Sequence, residues 1–368
     1  MTTVTDVRVC VAPGERAGLA RWRQAMAEQQ EAVLPGGAAA VSCSAAPGNG
    51  GLGRHLQEIV DALERGGCES FCISGPVTGS VSRLGLPLSP GVRARVHATE
   101  FDRDAARRLP AAEHLIAFNG QALEQLRAAR RRGYRSVALV SANSHMRRVA
   151  RQHERARRRY PLEGSWTRWL VRRNLSEYAH ADLIYVASRY IRESFLEEGF
   201  SDERMADFPL TPHPRFDRDG ARSGSDRFEI LYSGSLAVHK GVPLLIDAFR
   251  RLSHRDMRLV LVGGWGTRGM RRFVQEACAA DSRITAGPGD PLKHLRTAAL
   301  CVHPAYEDGF AYAPAEALVC GVPVIVSEDT GMKDLIGSPQ AGLVLPTGDL
   351  DALTEAIDAA YRDELFAG

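Results

Sequence analysis

The sequence predicts an α/β protein made of two doubly wound domains. Three observations carry that expectation. The chain has 368 residues, too many for one ordinary hydrophobic core. Short apolar runs of strand length alternate with helical patterns from end to end, the signature of parallel sheets layered with helices. The stretch FPLTPHPRFDRDGARSGSDRF, Phe208–Phe228, is rich in Pro, Gly, Ser, Asp and Arg and has no apolar periodicity, so the domain boundary falls there. The expected division is an N-terminal domain at 1–207, a linker at 208–227 and a C-terminal domain at 228–368.

Bulk composition removes several function classes. A net charge of +3 on a chain this long points to no nucleic-acid partner. No apolar run approaches the roughly 18–20 residues that cross a bilayer. The N-terminal stretch turns polar after a few apolar residues, unlike a signal peptide. The seven cysteines are odd in number and scattered, and no second Cys/His pair joins Cys68 and Cys72 to complete a zinc site. Reduced thiols and a cytoplasmic location are expected.

In the first half, Val7–Val11, Ala38–Ser44, Phe71–Ser74, Leu115–Phe118, Ser136–Ser141 and Leu183–Ala187 read as strands, with helical text at Arg54–Arg65 and Gly120–Arg132. GNGGLG, Gly48–Gly53, matches the G-x-G-x-x-G of dinucleotide-binding folds, with Glu69 downstream. Ser44–Pro47 separate it from its strand, however, whereas a dinucleotide loop turns directly off the strand. It fits better a loop that lets some ligand approach the backbone, with a plain turn as the alternative. From Arg127 to Arg173 arginines recur heavily, with Glu154 and Glu163 the only acids. That segment reads as a solvated helix face. Tyr160, Trp166 and Trp169 within it favour the other reading, a surface meeting an anionic acceptor or acidic lipid.

In the second half, Glu229–Ser233, Leu259–Gly263, Ile284–Ala286, Leu300–His303 and Val322–Ser327 read as strands. Lys240 follows a Gly-turn after the first of these and precedes a helix at Val242–Arg251, so its compact ammonium suits a phosphate. Gly263–Gly269 is a second Gly-rich strand-end loop. PAYEDGFAY leaves the carboxyl end of Leu300–His303, and Pro314 suits the first position of a helix running to Cys320. Gly321 suits its left-handed terminus and Pro323 stops it. The free N–H groups and positive dipole end of that helix suit an anion. Glu316 falls in its first turn, as simple dipole compensation or as a ligand contact.

The order GSLAVHKGVPLLIDAF, LVLVGG, ITAGPG, CVHPAYEDGFAYAPAEALVCGVPVIVSEDTG, AGLVLPTGD resembles the C-terminal domain of the retaining GT-B glycosyltransferases of family 4. That domain reads G-[RS]-L-x-x-x-K-G, then acid-G-F-x(5)-E-A-x-x-x-G-x-P-V-[IV]. The likeness covers nearly all of Glu229–Asp349. PGNGGLGRHLQEIVDALERGG, SANSHMRRVARQHE and AHADLIYVASRYIRESFLEEGF are similar, less tightly, to the family's first Gly-Gly loop, its active-site histidine strand end and its last helix-strand-helix before the linker.

The resemblance implies a GT-B fold, two Rossmann-like domains facing across a cleft. It implies transfer of a sugar from a nucleoside-diphosphate sugar to an acceptor hydroxyl, with retention of configuration and neither metal nor cofactor. Lys240 would bind the donor diphosphate, Asp308 the sugar hydroxyls and Glu316 the ribose diol. Backbone groups of Gly309, Phe310, Ala311 and Tyr312 would hold sugar and phosphate, and Gly50 and Gly51 would pass close to the phosphate or acceptor. His145 would sit beside the reacting centre, with Asn119 and Arg147 also on the acceptor side. Three positions depart from the family pattern: Ser235 stands where an arginine is usual, Asp308 where Glu is, and Ala311 where Gly is common. An epimerase, a phosphorylase or a non-catalytic sugar-nucleotide-binding subunit are the alternative expectations, with an NAD oxidoreductase behind them.

Overall fold

The computed structural model describes residues 16–75, 90–165, 167–217 and 227–366. The strand expected at Val7–Val11 and part of the expected linker lie outside them. Two compact units result. Among the described residues the first contains Gln24–Ala150 and Gly164–Leu210, and the second contains Arg16–Arg23, Arg151–Glu163 and the chain from Thr211 onward.

Helix α1 (Arg16–Val33) enters the first unit at Gln24, and β1 (Ala38–Cys43), α2 (Gly50–Arg65) and β2 (Glu69–Ser74) follow it there. It continues with α3 (Pro90–Arg108), β3 (His114–Phe118), α4 (Leu123–Arg131), β4 (Ser136–Ser141) and α5 (Met146–Arg159). Helix α6 (Thr167–His180), β5 (Leu183–Val186), α7 (Arg189–Leu196) and β6 (Met205–Asp207) complete it. The strands form one parallel sheet in the order β2-β1-β3-β4-β5-β6. Helices cover both faces of such a sheet, so its central strands are near-continuous apolar runs. Five of the six β4 residues are buried, whereas the edge strand β2 is mostly half-exposed. The three-residue β6 was not expected, being too short to carry a pattern.

The second unit runs β7 (Phe228–Ser233), α8 (Val242–Arg250), β8 (Met257–Val262), α9 (Arg268–Ala280), β9 (Ile284–Gly287) and α10 (Pro291–Leu295). Then come β10 (Leu300–His303), α11 (Tyr312–Val319), β11 (Val324–Ser327), β12 (Gly342–Leu345) and α12 (Leu350–Tyr361). Its parallel sheet has the order β12-β11-β10-β7-β8-β9. Side-chain caps start the helices where the sequence places Thr or Asp: Thr267 accepts from Met270 N at 3.2 Å, and Asp349 from the amides of Asp351 and Ala352 at 3.0 Å.

Arg151–Glu163 differs from the expected division, because it packs with the second unit. Ala156 and Tyr160 are part of that unit's core, and the Tyr160 hydroxyl donates to Asp247 at 2.7 Å. A Cβ at Gly269 would lie 2.2 Å from the carbonyl oxygen of Leu162, so the two backbones meet closely. The arginines there have intramolecular partners: Arg155 and Arg159 donate to the carbonyls of Thr347 and Gly348, and Arg157 and Arg158 pair with Glu154. Among the described residues no helix is long and apolar enough to cross a membrane.

Candidate active site

An open α/β sheet binds ligands at the carboxyl ends of its strands, where the strand order reverses. In the second unit that point lies between β7 and β10. The loops leaving both strands carry the residues singled out above. A 3-10 turn at Val238–Lys240 follows β7, and Gly241 adopts φ 72° to start α8. A Cβ on Gly241 would stand 1.9 Å from the carbonyl oxygen of Pro304, so only glycine lets the lysine turn lie against the β10 loop. Tyr306 N donates to His239 O at 2.8 Å and ties the two loops by their backbones.

Lys240 and Asp308 are brought together. Lys240 Nζ is 2.8 Å from Asp308 Oδ2 and donates to the Glu307 carbonyl at 3.2 Å. His303, the last residue of β10, places Nε2 3.0 Å from the same Oδ2. Burial pushes the Asp308 carboxyl up, but the Lys240 ammonium and the His303 hydrogen bond outweigh it and hold it well below the usual carboxylate range. His303 was not singled out in the sequence; its polar side chain at the end of an otherwise apolar strand was the available signal. His239 stacks on His153 with ring centroids 4.1 Å apart. Burial, then the neighbouring positive charge of Lys240, lowers His153 to about 3, and burial together with His153 and Lys240 depresses His239 as well.

The acidic loop is fixed by its own backbone. Asp308 N donates to Asp329 O, Gly331 N to Asp308 O and Met332 N to Phe310 O, at 3.0, 2.9 and 2.8 Å. Ala311 takes φ 66° and starts α11 there. The helix therefore begins at Tyr312, two residues before the expected start, and Pro314 occupies its third position, where an N–H has no intrahelical acceptor anyway. Glu316 consequently lies in the second turn instead of the first, 3% exposed. Burial and then its charge push the Cys301 and Cys320 thiols up to about 12 and about 11. Gly321 ends the helix at φ 76°, with Val322 N donating to Ala317 O, and this keeps Val322 out of β11. Ser235 is exposed on the β7 loop, and its carbonyl accepts from the Tyr232 hydroxyl at 2.8 Å. Phe310 is buried and meets Tyr312 edge to face at 5.2 Å.

In the first unit the strand order reverses between β1 and β3. Gly50 needs its left-handed φ of 65°, and neither Gly50 nor Gly51 has an atom within 4 Å of a built Cβ. Asn119 follows β3 and donates to Asn174 Oδ1 at 2.8 Å. The structure places His145 at the start of α5, where Nδ1 accepts from Arg147 N at 3.4 Å and the ring lies among Tyr178, Phe195 and Phe200, 1% exposed. Arg147 is ion-paired with Glu198 at 2.9 Å.

Residues 215–367 match the family described as Glycosyl transferases group 1. That match spans most of the second unit. The chain is 31% identical over 142 residues to O-antigen chain mannosyltransferase B of Escherichia coli, covering 36% of this chain and 37% of that one. The chain matches under two-fifths of the length of its curated relatives. Sucrose-phosphate synthase from Thermosynechococcus elongatus superposes with a TM-score of 0.70 over 90% of each chain at 18% identity. Anabaena HepE in complex with UDP-glucose gives 0.59 over 89% of this chain and 90% of that one at 14% identity. The fold is GT-B, two six-stranded parallel sheets each layered with helices.

Proposed function

We propose that the protein is a glycosyltransferase that moves a sugar from a nucleoside-diphosphate sugar to an acceptor hydroxyl, with retention of configuration. The observation that carries this reading is the convergence of the Lys240 ammonium and the start of α11 on the loops at the strand-order reversal of the second sheet. A cation and a helix N-terminus together stabilise the charge that develops on a departing diphosphate, with no metal or cofactor assigned to the task. Lys240 binds the diphosphate, the backbone of Gly309–Tyr312 holds sugar and phosphate, Asp308 faces sugar hydroxyls and Glu316 the ribose. Gly50 and Gly51 pass close to the donor phosphate or the acceptor, and Asn119 and Arg147 belong to the acceptor side. His145, capping α5, positions that helix. The binding of UDP-glucose by HepE, named in its structure, supports a nucleotide-sugar donor here.

The test is calorimetry against UDP-glucose, GDP-mannose, ADP-glucose, dTDP-glucose and NAD. At least one nucleotide sugar should bind, and Lys240→Ala should weaken it about 100-fold with the fold intact, the loss of one charge-assisted phosphate contact. Binding of NAD alone, or unchanged affinity in Lys240→Ala, would overturn the assignment. Transfer or donor hydrolysis that vanishes in Glu316→Ala separates the enzyme from a non-catalytic sugar-nucleotide-binding subunit.

A further inference from the structure

One oxygen of Asp308 serves two donors, Lys240 Nζ at 2.8 Å and His303 Nε2 at 3.0 Å. The His303 side chain is 5% exposed and its ring lies parallel to that of Tyr232, 4° apart, with centroids 5.7 Å away. Its Nδ1 is buried and accepts no hydrogen bond from the protein. With Asp308 ionised, Nε2 carries the hydrogen, so a second proton can enter only at Nδ1. The charged and titratable groups facing this imidazole among the described residues are Asp308 from the β10 loop, His239 from the 3-10 turn and the Tyr232 phenol from β7, and Lys240 of the same turn meets it through Asp308. His153 stacks beyond His239, and burial keeps both of those imidazoles neutral.

Resting on the donor-site reading above, a diphosphate that engages Lys240 competes with Asp308 for its ammonium. A buried carboxylate whose cation is drawn away carries a large desolvation penalty. A neutral imidazole does not balance that charge, whereas an imidazolium does. We propose that His303 is a positioning residue that takes over the charge of Asp308 when the donor engages Lys240, so that donor binding draws one proton from solvent onto His303 Nδ1. The protonated ring keeps Asp308 in place at the sugar end of the site while Lys240 serves the diphosphate.

The test uses the full chain and whichever nucleotide sugar of the panel binds, because its phosphodiester groups carry no proton that titrates near neutrality. Calorimetry in buffers of different ionisation heat, from about pH 6 to about pH 8.5, reads proton uptake directly. Wild type should take up as much as about one proton, its affinity falling as much as about tenfold per pH unit as pH rises. His303→Gln keeps a donor toward Asp308 but cannot be protonated, so uptake should vanish and affinity should become flat in pH. Binding without uptake in wild type, or uptake that persists in His303→Gln, overturns the proposal. A ligand-free arm follows the histidine ring signals by NMR in Lys240→Met, where His303 should retain its proton to a pH about one unit higher than in wild type. No shift there overturns the coupling as well. If no nucleotide sugar binds, the donor-site reading fails, and the NMR arm still decides whether His303 answers the loss of Lys240.

Discussion

Both sheets reverse their strand order once, and the loops at the two reversals are built in opposite ways. In the first unit, Glu177 accepts from the amides of Gly120 and Ala122, and Asp102 from those of Glu124 and Gln125. Arg173 pairs with both carboxylates, and all three side chains are under 10% exposed. The polar groups there are consumed in holding the backbone after β3. In the second unit one ion pair, Lys240 with Asp308, joins the two loops, and each partner keeps 17% of its side chain exposed. A cation whose partner an incoming anion can replace belongs to a ligand site, whereas a carboxylate committed to backbone amides belongs to a scaffold.

The largest effect should come from breaking the scaffold. Glu177→Ala leaves two buried amides without acceptors and Arg173 short of one partner, at a cost of about 4 kcal/mol. Chemical denaturation followed by fluorescence should show the loss in the transition of the first unit. A loss below about 1 kcal/mol would mean that water replaces the carboxylate and that the contrast between the loops is weaker than drawn.

The same residue gives a pH dependence. Burial pushes the Glu177 carboxyl up to about 7, against the opposing pull of the Ala122 amide and Arg173. The folded chain therefore holds a proton that the unfolded chain has already released. This site's contribution is complete below about pH 4.5, and about 3 kcal/mol of it is lost as pH rises toward 7. Subtracting the melting profile of Glu177→Gln from that of wild type should isolate a difference that falls over that window. A flat difference would place the ionisation elsewhere. In the second unit, Lys240→Ala should cost about 2 kcal/mol of stability where His303 is neutral, less than Glu177→Ala because each partner of the pair keeps 17% of its side chain exposed. Its main effect should be the loss of donor affinity.

The motif residues of the second unit were legible because each answers a local constraint. Gly241 must clear the Pro304 carbonyl, Gly321 must take a left-handed angle, and an acid-G-F loop must leave a strand end. The scaffold of the first unit was not legible. Asp102 on α3 and Glu177 on α6 reach the loop after β3 from 22 and 55 or more positions away, and Arg173 on α6 meets Asp102 from 71 away, so no spacing in the sequence links them. His303 was hidden for a similar reason, since its role depends on Lys240 lying across the sheet from it. Arg151–Glu163 misled because its arginines read as a surface, whereas Ala156 on α5 and Tyr160 just beyond its end are buried in the core of the second unit.

The smallest expected effect concerns Ala311, where the sequence departs from the glycine common in the resembling family. Its φ of 66° is left-handed, a conformation that costs an L-residue about 1–2 kcal/mol. Ala311→Gly removes that cost. It also frees the unfolded chain, by roughly 0.4–1 kcal/mol, and gives up a methyl group that is 6% exposed in the folded state. These terms nearly cancel, leaving a gain of about 0.5 kcal/mol, read as a small rise in the denaturation midpoint of the second unit. A loss of 1 kcal/mol or more, to an order of magnitude one buried methyl, would show that packing of the Ala311 methyl outweighs its backbone strain. The strain would then be a rigidifying feature: the loop carrying Asp308 would be held by the methyl, just as the β3 loop is held by Glu177, and the two reversals would differ less than their charges suggest.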